Sequence, residues 1–483
     1  MAHCGIGTLP IMYYGNEDQR QRYVTKLATG ELLGAYCLTE PGAGSDANAG
    51  KTQAKLSEDG THYILNGQKM WITNAGFADV QTVFAKIDCD RVLSAFIVER
   101  NFPGVVVNPD EHKMGIKGSS TAQIFYNDVK VPVENLIGKR GEGFRIALSI
   151  LHMGRIKLGA NVLGASKKAI NDSVSYANER KQFGTLISAF GSIRYKLAEQ
   201  VIRTWALESA IYRLSKDIDD QISRLKSEGM DKGRASIEGI AHYAVEAAIL
   251  KVYGSEVLDY VIDEAVQIHG GMGYSAEMAV ERGYRDSRIN RIFEGTNEIN
   301  RLLVSDTAMK RALKGEYDIF GKAEELFNSG HVADPASDSE SYFEEKMRYL
   351  RNFKKATLLV IHGAMKQFEK NLVNEQEILN NISDMMMEIY VAESMALRVE
   401  KLRNMKGEEA VSLYMDILDV YIYDIAGDLT KSGCDAANSL GHAEVAAKLN
   451  GMIESCTRVA PVNVKEARRR IAAKLIDDNA YKF

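Results

Sequence analysis

Residues 143–180 read GFRIALSILHMGRIKLGANVLGASKKAINDSVSYANER, and the spacing of their apolar side chains decides the fold class. These side chains recur at intervals near 3.6, the period of an α-helix with one buried face. No proline lies between 133 and 334, so no residue of that type interrupts long helices there. We therefore predict a helix from about Gly143 to Arg180, ending before Gly184. The residues that set the period are Phe144, Leu148, Leu151, Ile156 and Leu158.

Helical spacing continues on the C-terminal side of this stretch. Two long runs, 190–218 and 233–268, are followed by shorter ones near 277–287 and 297–313. Long helices joined by short loops pack most economically as an antiparallel bundle. Residues 329–341, SGHVADPASDSES, are small, polar and acidic, which is typical of a linker.

On the N-terminal side the pattern favours β-structure. The runs 62–65 and 69–73 flank Asn66-Gly67, a dipeptide typical of β-hairpins. Further short β-prone runs follow, with turn residues between them, and several such runs predict an antiparallel sandwich or barrel of roughly 100 residues. These further runs are Val80–Ala85, Leu93–Val98, Gly104–Val107 and Gln123–Tyr126.

The predicted fold class is therefore α+β and mostly α. An antiparallel β-barrel or sandwich domain is followed by a four-helix-bundle-type domain and a helical tail domain. The predicted boundaries are 1–33 for an N-terminal helical remnant, 34–138 for the β-domain, 139–328 for the bundle, 329–341 for the linker and 342–483 for the tail.

Composition excludes several classes of protein. The net charge is −5, from 60 basic and 65 acidic residues, so nucleic acid is not expected as a partner. No run approaches the roughly 18 consecutive apolar residues of a membrane-spanning helix. The five cysteines are scattered and the nine histidines show no HExxH pattern, so we expect neither a disulfide framework nor a metal site. The first residues lack the basic segment of a secretory signal.

Two motifs in the β-region could contact a flat polar ligand. Residues 38–46, LTEPGAGSD, offer main-chain N–H groups and two hydroxyls, although a Pro-Gly turn explains the same letters. Residues 71–74, WITN, place an indole beside a threonine hydroxyl, which suits a heteroaromatic ring; core packing is the alternative.

Two further motifs lie at the C-terminal ends of predicted long helices. Residues 180–184, RKQFG, could pair a guanidinium with a diphosphate and an aromatic ring with a base, but a cation and a glycine are also ordinary at a helix C-terminus. Residues 267–273, QIHGGMG, carry more glycine than a C-cap needs, which favours a close backbone approach to a ligand.

The last motif, RIFEGTNE at 291–298, contains a candidate general base. Thr296 or Asn297 is a suitable N-cap for the helix that follows. Glu294 lies between Phe293 and Gly295, where an apolar, open setting would raise its pKa and make it a better base. A solvated loop glutamate is the alternative.

Taken together and in this order, these motifs resemble the acyl-CoA dehydrogenase family of flavoproteins. The matching segments extend over about residues 20–310. The segment KMGIKGSSTAQIFYNDVKVP (113–132) and the long helical tail are most similar to the very-long-chain branch. The segments are YCLTEPGAGSDA (36–47), QKMWITN (68–74), RKQFG (180–184), QIHGGMGY (267–274) and RIFEGTNEINRL (291–302).

The resemblance implies FAD as cofactor and assigns roles to individual residues. Glu294 takes the place of the catalytic base, Arg155 matches an arginine near it, and Gly295 and Ser45 would contact the acyl-CoA. The isoalloxazine would be lined by Tyr36, Cys37, Leu38, Thr39, Gly44, Ser45, Trp71, Ile72 and Thr73. The diphosphate and adenine end, commonly of a neighbouring subunit's FAD, would be reached by Arg180, Gln182 and Phe183. The adenosine-diphosphate part would be held by Gln267, Gly270 and Gly271, and the flavin would be covered by Thr296 and Glu298.

The resemblance also implies a reaction and its partners. Glu294 would remove the α-proton of a fatty acyl-CoA while the β-hydride leaves to the flavin, giving a trans-2-enoyl thioester as in fatty-acid β-oxidation. Electrons would pass to an electron-transfer flavoprotein, and a homodimer or tetramer is implied. Two departures from the family are noted: residues 1–33 match only the last helices of its N-terminal domain, and His152 replaces the usual polar residue before Arg155.

Other interpretations stay open from the sequence. One is a non-catalytic assembly or scaffold relative, and another is an oxygen-using acyl-CoA oxidase. The basic run 465–474 suggests contact of the tail with a membrane surface, although a solvated helix face is the expected explanation. The expected location is the cytoplasm of a bacterium, or the mitochondrial matrix of a eukaryote.

Overall fold

A mixed β-sheet occupies the region between Gly34 and Ile137. The computed structural model describes residues 2–330 and 332–483. The strands of the sheet are β1 (Gly34–Cys37), β2 (Gln53–Leu56), β3 (His62–Thr73), β4 (Val80–Ile87), β5 (Ser94–Glu99), β6 (Val105–Val107), β7 (Thr121–Pro132) and β8 (Leu136–Ile137). The strand order is β6-β7-β3-β2-β4-β5-β8, with β1 on β4. Strand β4 pairs in parallel with β1 and β2, and the other pairings of this sheet are antiparallel.

The predicted hairpin at Asn66-Gly67 is wrong. Both residues lie inside the single strand β3, which pairs with β7 through a register shift between Leu65 and Gly67. The Asn66 side chain donates to the Asp128 carboxylate at 2.9 Å. A Cβ on Gly67 would lie 2.5 Å from Thr52 Oγ1, so glycine is required by a close approach. Asn-Gly here serves a β-bulge and not a turn.

The sheet has apolar packing on both faces of its central strand. Nearly all of β4 is buried. Val83 and Phe96 face one cluster, while Phe84 and Ile97 face the other. The second cluster also contains Ile146 and Ile150, from the beginning of the helix predicted at 143–180. This packing fixes the start of that helix against β1 and β4.

The helices follow the predicted order, with α4 ending one residue before Arg180. The predicted run 233–268 is interrupted at Tyr243 and forms two helices. A short pair of strands, β9 (Lys181–Gln182) and β10 (Thr185–Leu186), follows α4. The helices are α1 (Leu9–Tyr14), α2 (Glu17–Gln19), α3 (Thr25–Thr29), α4 (Gly143–Glu179), α5 (Gly191–Ser227), α6 (Lys232–His242), α7 (Ala244–His269), α8 (Ala279–Ser287), α9 (Asn297–Leu313), α10 (Ile319–Ser329), α11 (Tyr342–Phe368), α12 (Gln376–Lys406), α13 (Ser412–Asn438), α14 (Ala443–Cys456) and α15 (Val464–Asp478).

The chain divides into two compact units. The first is discontinuous in sequence and consists of 1–157, 217–244 and 293–295. The second contains the remaining residues, including the tail helices α11–α15. The prediction of a mostly helical α+β protein, with a β-domain followed by helical domains, is confirmed. The prediction that the sheet is antiparallel throughout is wrong, because β4 pairs in parallel with β1 and β2. The domain boundaries stay predictions.

Helix α4 is long and apolar enough to cross a bilayer, judged by length and composition only. Its most apolar 18-residue window has a mean hydropathy of 1.2, and half of that window is buried within the protein. The sequence prediction counted uninterrupted apolar runs and so did not single out this helix. Core helices meet the same criterion, which makes it weak evidence for a membrane span.

The basic run of the tail is largely engaged in ion pairs. Arg468 is 9% exposed, and its guanidinium donates to Glu199 at 2.7 Å and to Asp424 at 2.6 Å. Arg470 pairs with Asp416 at 2.6 Å. These ion pairs stabilise packing within the second unit, so the run does not form a uniformly basic surface.

A buried carboxyl in the tail gives a pH-dependent stability. Tyr421 donates to Glu388 at 2.5 Å, and burial raises the pKa of Glu388 to about 7. Because the folded pKa exceeds the unfolded one, folding is favoured by protonation of Glu388, and its contribution falls as pH rises from about 4.5 to above 7. We expect Glu388→Gln to flatten the decline in unfolding free energy across this window, measured by chemical denaturation at several pH values.

The control is Glu377→Gln, which changes an exposed glutamate of the same helix. It should leave the pH dependence of the wild type unchanged. Equal slopes in the wild type and Glu388→Gln would contradict the assignment.

Candidate active site

Glu294 lies in a strained four-residue connection, 292–295. It follows a 3₁₀ turn at Arg288–Arg291 and precedes the N-cap of α9. Its φ is 58°, and that of Gly295 is 81°, so two consecutive residues adopt the left-handed region. A non-glycine residue in this region costs roughly 1–3 kcal/mol and is held there by its surroundings.

The side chain of Glu294 packs directly on the backbone of α4. A Cβ added to Gly154 would lie 2.6 Å from Glu294 Oε2 and 2.9 Å from its Cδ. The Oε2 atom is inaccessible to solvent. One oxygen of this carboxylate is therefore enclosed, while the residue as a whole is half-buried, and the absence of a side chain at Gly154 makes room for it.

Arg155 holds the connection that carries Glu294. It is 3% exposed, and its Nε donates to the main-chain carbonyl oxygen of Glu294 at 3.3 Å. Burial lowers the pKa of the Arg155 guanidinium to about 10, while the nearby Glu294 and Tyr36 oppose that shift. The guanidinium still carries its charge at neutral pH. Arg155 and Glu294, which the sequence placed together only by resemblance, are neighbours in this unit.

Tyr36, on strand β1, lies near Glu294 and Arg155. Its hydroxyl lies 3.5 Å from the Ala147 carbonyl oxygen of α4, and its ring meets Phe84 edge-on at 5.0 Å. Burial, with Glu294 adding to it, raises the pKa of Tyr36 well above its ordinary value, so the hydroxyl stays protonated. Burial likewise raises the pKa of the Cys37 thiol to about 12.

The two predicted flavin-lining segments are joined through their backbones. Met70 N–H donates to the Thr39 carbonyl oxygen at 2.9 Å. Trp71 is 53% exposed and has a φ of 59°, a strained value for an aromatic residue. Thr39 and Thr73 are partly exposed, and Gly44 and Ser45 are exposed. Cys37, Leu38 and Ile72 are buried as whole residues, and the Leu38 carbonyl oxygen accepts a hydrogen bond from Lys69.

A buried ion pair supports these two segments from beneath. The Lys69 ammonium is fully buried and donates to Glu40 Oε1 at 2.6 Å and to the Leu38 carbonyl oxygen at 3.2 Å. Glu40 also accepts from the main-chain N–H groups of Lys51 and Thr52. Sequence reasoning missed this pair. A lysine in an inward register of β3 is the signal that could have identified it.

The second unit carries the remaining predicted contacts. Tyr176 stacks on His269 at 4.2 Å, which brings the end of α4 close to the end of α7. Phe183 is 95% exposed, with a φ of 54°. The hydroxyl of Thr296 accepts from the Ile299 N–H at 3.2 Å, so it caps α9 as predicted. The other predicted residues of this unit with exposed side chains or backbones are Arg180, Gln182, Gln267, Gly270, Gly271 and Glu298.

Gly154 was not singled out from the sequence, and its replacement is a sharp test of the site. We expect Gly154→Ala to lower the rate of proton transfer by the candidate base Glu294 by about tenfold or more, since misplacing a reacting group by about 1 Å costs up to roughly 10²-fold. Stability should change little, because the atom displaced is the end of a flexible side chain and alanine favours a helix. Thermal unfolding and single-turnover kinetics measure the two effects.

Gly164→Ala, on the same helix, is the matched control, since a Cβ there would have no neighbour within 4 Å apart from the helix's own backbone. Unchanged kinetics in Gly154→Ala would contradict the packing of Glu294 on α4.

Comparison with known proteins gives a consistent result. Family models of the acyl-CoA dehydrogenase middle domain and C-terminal domain match residues 35–129 and 141–309, and a second C-terminal-domain model matches 352–449. A probable acyl-CoA dehydrogenase of Bacillus subtilis is 43% identical over 99% of this chain and 81% of its own length. The human mitochondrial very long-chain specific acyl-CoA dehydrogenase is 38% identical over 80% of this chain, and the match spans 61% of the human protein.

A crystal structure of an acyl-CoA dehydrogenase complexed with FAD, from Bacillus anthracis, matches the whole chain with a TM-score of 0.96 and 44% identity, covering 82% of that protein. The chain belongs to the acyl-CoA dehydrogenase family of FAD-dependent oxidoreductases. The family, the enzyme class and the cofactor predicted from the motifs are confirmed.

Proposed function

We propose that this chain catalyses the α,β-dehydrogenation of a fatty acyl-CoA to the trans-2-enoyl-CoA, with Glu294 as the base. The observation that carries the proposal is the enclosed carboxylate of Glu294, packed on Gly154. A carboxylate in such a setting suits the abstraction of a weakly acidic α-proton. Its strained, well-held connection also favours an enzyme over the scaffold interpretation.

The residues of the first unit suit a flavin ring. Trp71 offers a half-exposed flat face, and the Thr39 and Thr73 hydroxyls lie on two segments joined by the Met70–Thr39 hydrogen bond. By the family resemblance, main-chain groups of Cys37, Leu38 and Ile72 would border the ring edge. FAD, when bound, would accept the hydride that leaves the β-carbon of the substrate.

The chain's own groups would perform the proton chemistry. Arg155 would hold the main chain of Glu294 so that the carboxylate faces the α-carbon. The main-chain N–H of Glu294 would stabilise the negative charge that develops on the thioester oxygen, as the family resemblance suggests. Gly295 would allow the thioester to approach the base closely, because it has no side chain. Tyr36, protonated and buried, would exclude water from one side of Glu294.

The remaining proposals follow from the family resemblance. Ser45 would contact the acyl-CoA, and Thr296 and Glu298 would cover the flavin. The diphosphate and adenine end of a neighbouring subunit's FAD would be reached by Arg180, Gln182 and Phe183, and the adenosine-diphosphate part would be held by Gln267, Gly270 and Gly271. We propose an electron-transfer flavoprotein as electron acceptor and a homodimer or tetramer as assembly. The reaction would belong to fatty-acid β-oxidation.

The test is anaerobic mixing of the FAD-loaded protein with palmitoyl-CoA and with octanoyl-CoA while the oxidised flavin absorption is recorded. Bleaching with formation of the enoyl-CoA is the expected result, and the faster substrate defines the chain-length class. Rapid reoxidation by air after bleaching would favour the oxidase interpretation. Absence of bleaching with either substrate, on protein that holds FAD, would contradict the proposal.

A further inference from the structure

His152 and Arg155 lie one helical turn apart on α4, with their side chains in contact. His152 Nδ1 and Arg155 Nη1 are 3.2 Å apart. A guanidinium carries only donors, so Arg155 must donate and Nδ1 must be the acceptor. The proton of the neutral imidazole therefore lies on Nε2, and the interaction requires His152 to be uncharged.

The same guanidinium also contacts the connection that carries the base. While Nη1 donates to His152, Nε donates to the main-chain carbonyl oxygen of Glu294. A planar guanidinium with donors engaged at two edges has a fixed orientation. Glu294 has a φ of 58°, a conformation that its surroundings must maintain. Histidine, arginine and glutamate thus form a continuous path from the helix to the candidate base.

We propose that His152 is a positioning residue for Glu294: its imidazole accepts a hydrogen bond from Arg155 and thereby fixes the guanidinium that holds the Glu294 main chain. The kinetic consequence rests on the proposed function, whereas the hydrogen bond does not.

The electrostatic setting agrees with a neutral imidazole. Burial, together with the positive charge of Arg155, lowers the pKa of His152 to about 4. Glu294 and Tyr36 both act on Arg155, the charged group that His152 contacts directly. The acceptor nitrogen is therefore available throughout the range in which a general base works.

Two substitutions separate hydrogen bonding from packing. In His152→Asn, Oδ1 stands near the place of Nδ1 and can accept from Arg155. In His152→Phe, a ring of similar shape remains without an acceptor. We expect flavin bleaching to slow by about tenfold or more in His152→Phe, the loss expected when a charged donor loses its partner. It should stay within about threefold of wild type in His152→Asn, since the amide oxygen can still accept the hydrogen bond from the charged guanidinium. FAD content and thermal stability should match in the two variants.

A second measurement is independent of activity. Two-bond ¹⁵N–¹H spectra of histidine-labelled protein report which ring nitrogen carries the proton. The resonance of His152, identified by its loss in His152→Asn, should show the Nε2–H tautomer from pH 5 to 8. A proton on Nδ1, a charged imidazole in that range, or equal bleaching rates in the two variants would overturn the proposal. If the flavin of the wild type is not bleached by either acyl-CoA, the proposed function is contradicted. The tautomer observed by NMR still shows whether His152 accepts the hydrogen bond from Arg155.

Discussion

Glu294→Gln is expected to lower the rate of flavin bleaching by about 10³-fold, within the roughly 10²- to 10⁴-fold range that a general base contributes. The amide has nearly the volume of the carboxylate, so it should occupy the same place against Gly154 and leave the fold intact. It cannot take up the α-proton of the substrate. The measurement is rapid anaerobic mixing with the faster of the two acyl-CoA substrates.

The control for this substitution is Glu277→Gln, at an exposed glutamate in the loop before α8. It should bleach at the wild-type rate. Binding of a non-reactive acyl-CoA analogue, followed by the perturbation of the flavin spectrum, should be retained in Glu294→Gln. A bleaching rate above one-tenth of wild type in Glu294→Gln would exclude Glu294 as the base.

Lys69→Met is expected to destabilise the first unit by about 3–5 kcal/mol, the usual cost of leaving one member of a buried ion pair without its partner. The Glu40 carboxylate would keep its two main-chain donors but lose the Lys69 ammonium, which lies 2.6 Å from Oε1. Because Glu40 and Lys69 belong to the two segments that we propose for the flavin, FAD retention should fall as well. Hydrogen exchange of peptides from residues 34–73 and FAD content after dialysis measure the two losses.

The sign of the pH dependence distinguishes this mechanism from simple loss of packing. In the wild type, burial alone would raise the pKa of Glu40, but Lys69 and the hydrogen bonds outweigh it and hold the pKa below its ordinary value. The stability from Glu40 is therefore present above its unfolded pKa and is lost on acidification. In Lys69→Met burial dominates, so the variant should become relatively more stable as pH falls toward 5.

The double variant Glu40→Gln/Lys69→Met removes both charges and is the matched comparison. It should recover most of the lost stability, because no buried charge is left unpaired. An equal loss in the single and double variants, with no difference in pH dependence, would show that packing and not charge supports these segments.

Local patterns in the sequence predicted most of the helices, since their period depends on residues close together in the chain. Gly143–Glu179 is one residue shorter than predicted. The hairpin prediction was wrong because residues distant in sequence determine this dipeptide. Thr52 leaves no room for a side chain at Gly67, and Asn66 donates a hydrogen bond to Asp128 on another strand. Strand β2 was missed because Gln53–Leu56 has a single buried side chain and so lacks an alternating apolar pattern.

Only part of the candidate site could be predicted, because the rest depends on contacts between residues distant in sequence. Glu294 is a candidate base from its own motif, whereas Arg155 follows only from the family resemblance; both give residue types without their contacts. Gly154 and Lys69 act through neighbours that lie far away in sequence, so no local pattern reveals them. The basic run 465–474 was interpreted by composition alone, whereas Arg468 is turned inward by Glu199, which lies 269 positions earlier.

The hydrogen bond from Arg155 to Glu294 joins residues 139 positions apart. During synthesis, the strands and the first turns of α4 leave the ribosome long before residues 293–295, which complete the same unit. Closing a loop of this length has an entropic cost, and contacts between distant residues form slowly. The β-sheet can therefore assemble early, while Glu294 reaches its place only once most of the helices have been made. A nascent chain of this protein would thus form the sheet that we propose for the flavin before it places the carboxylate that we propose as the base.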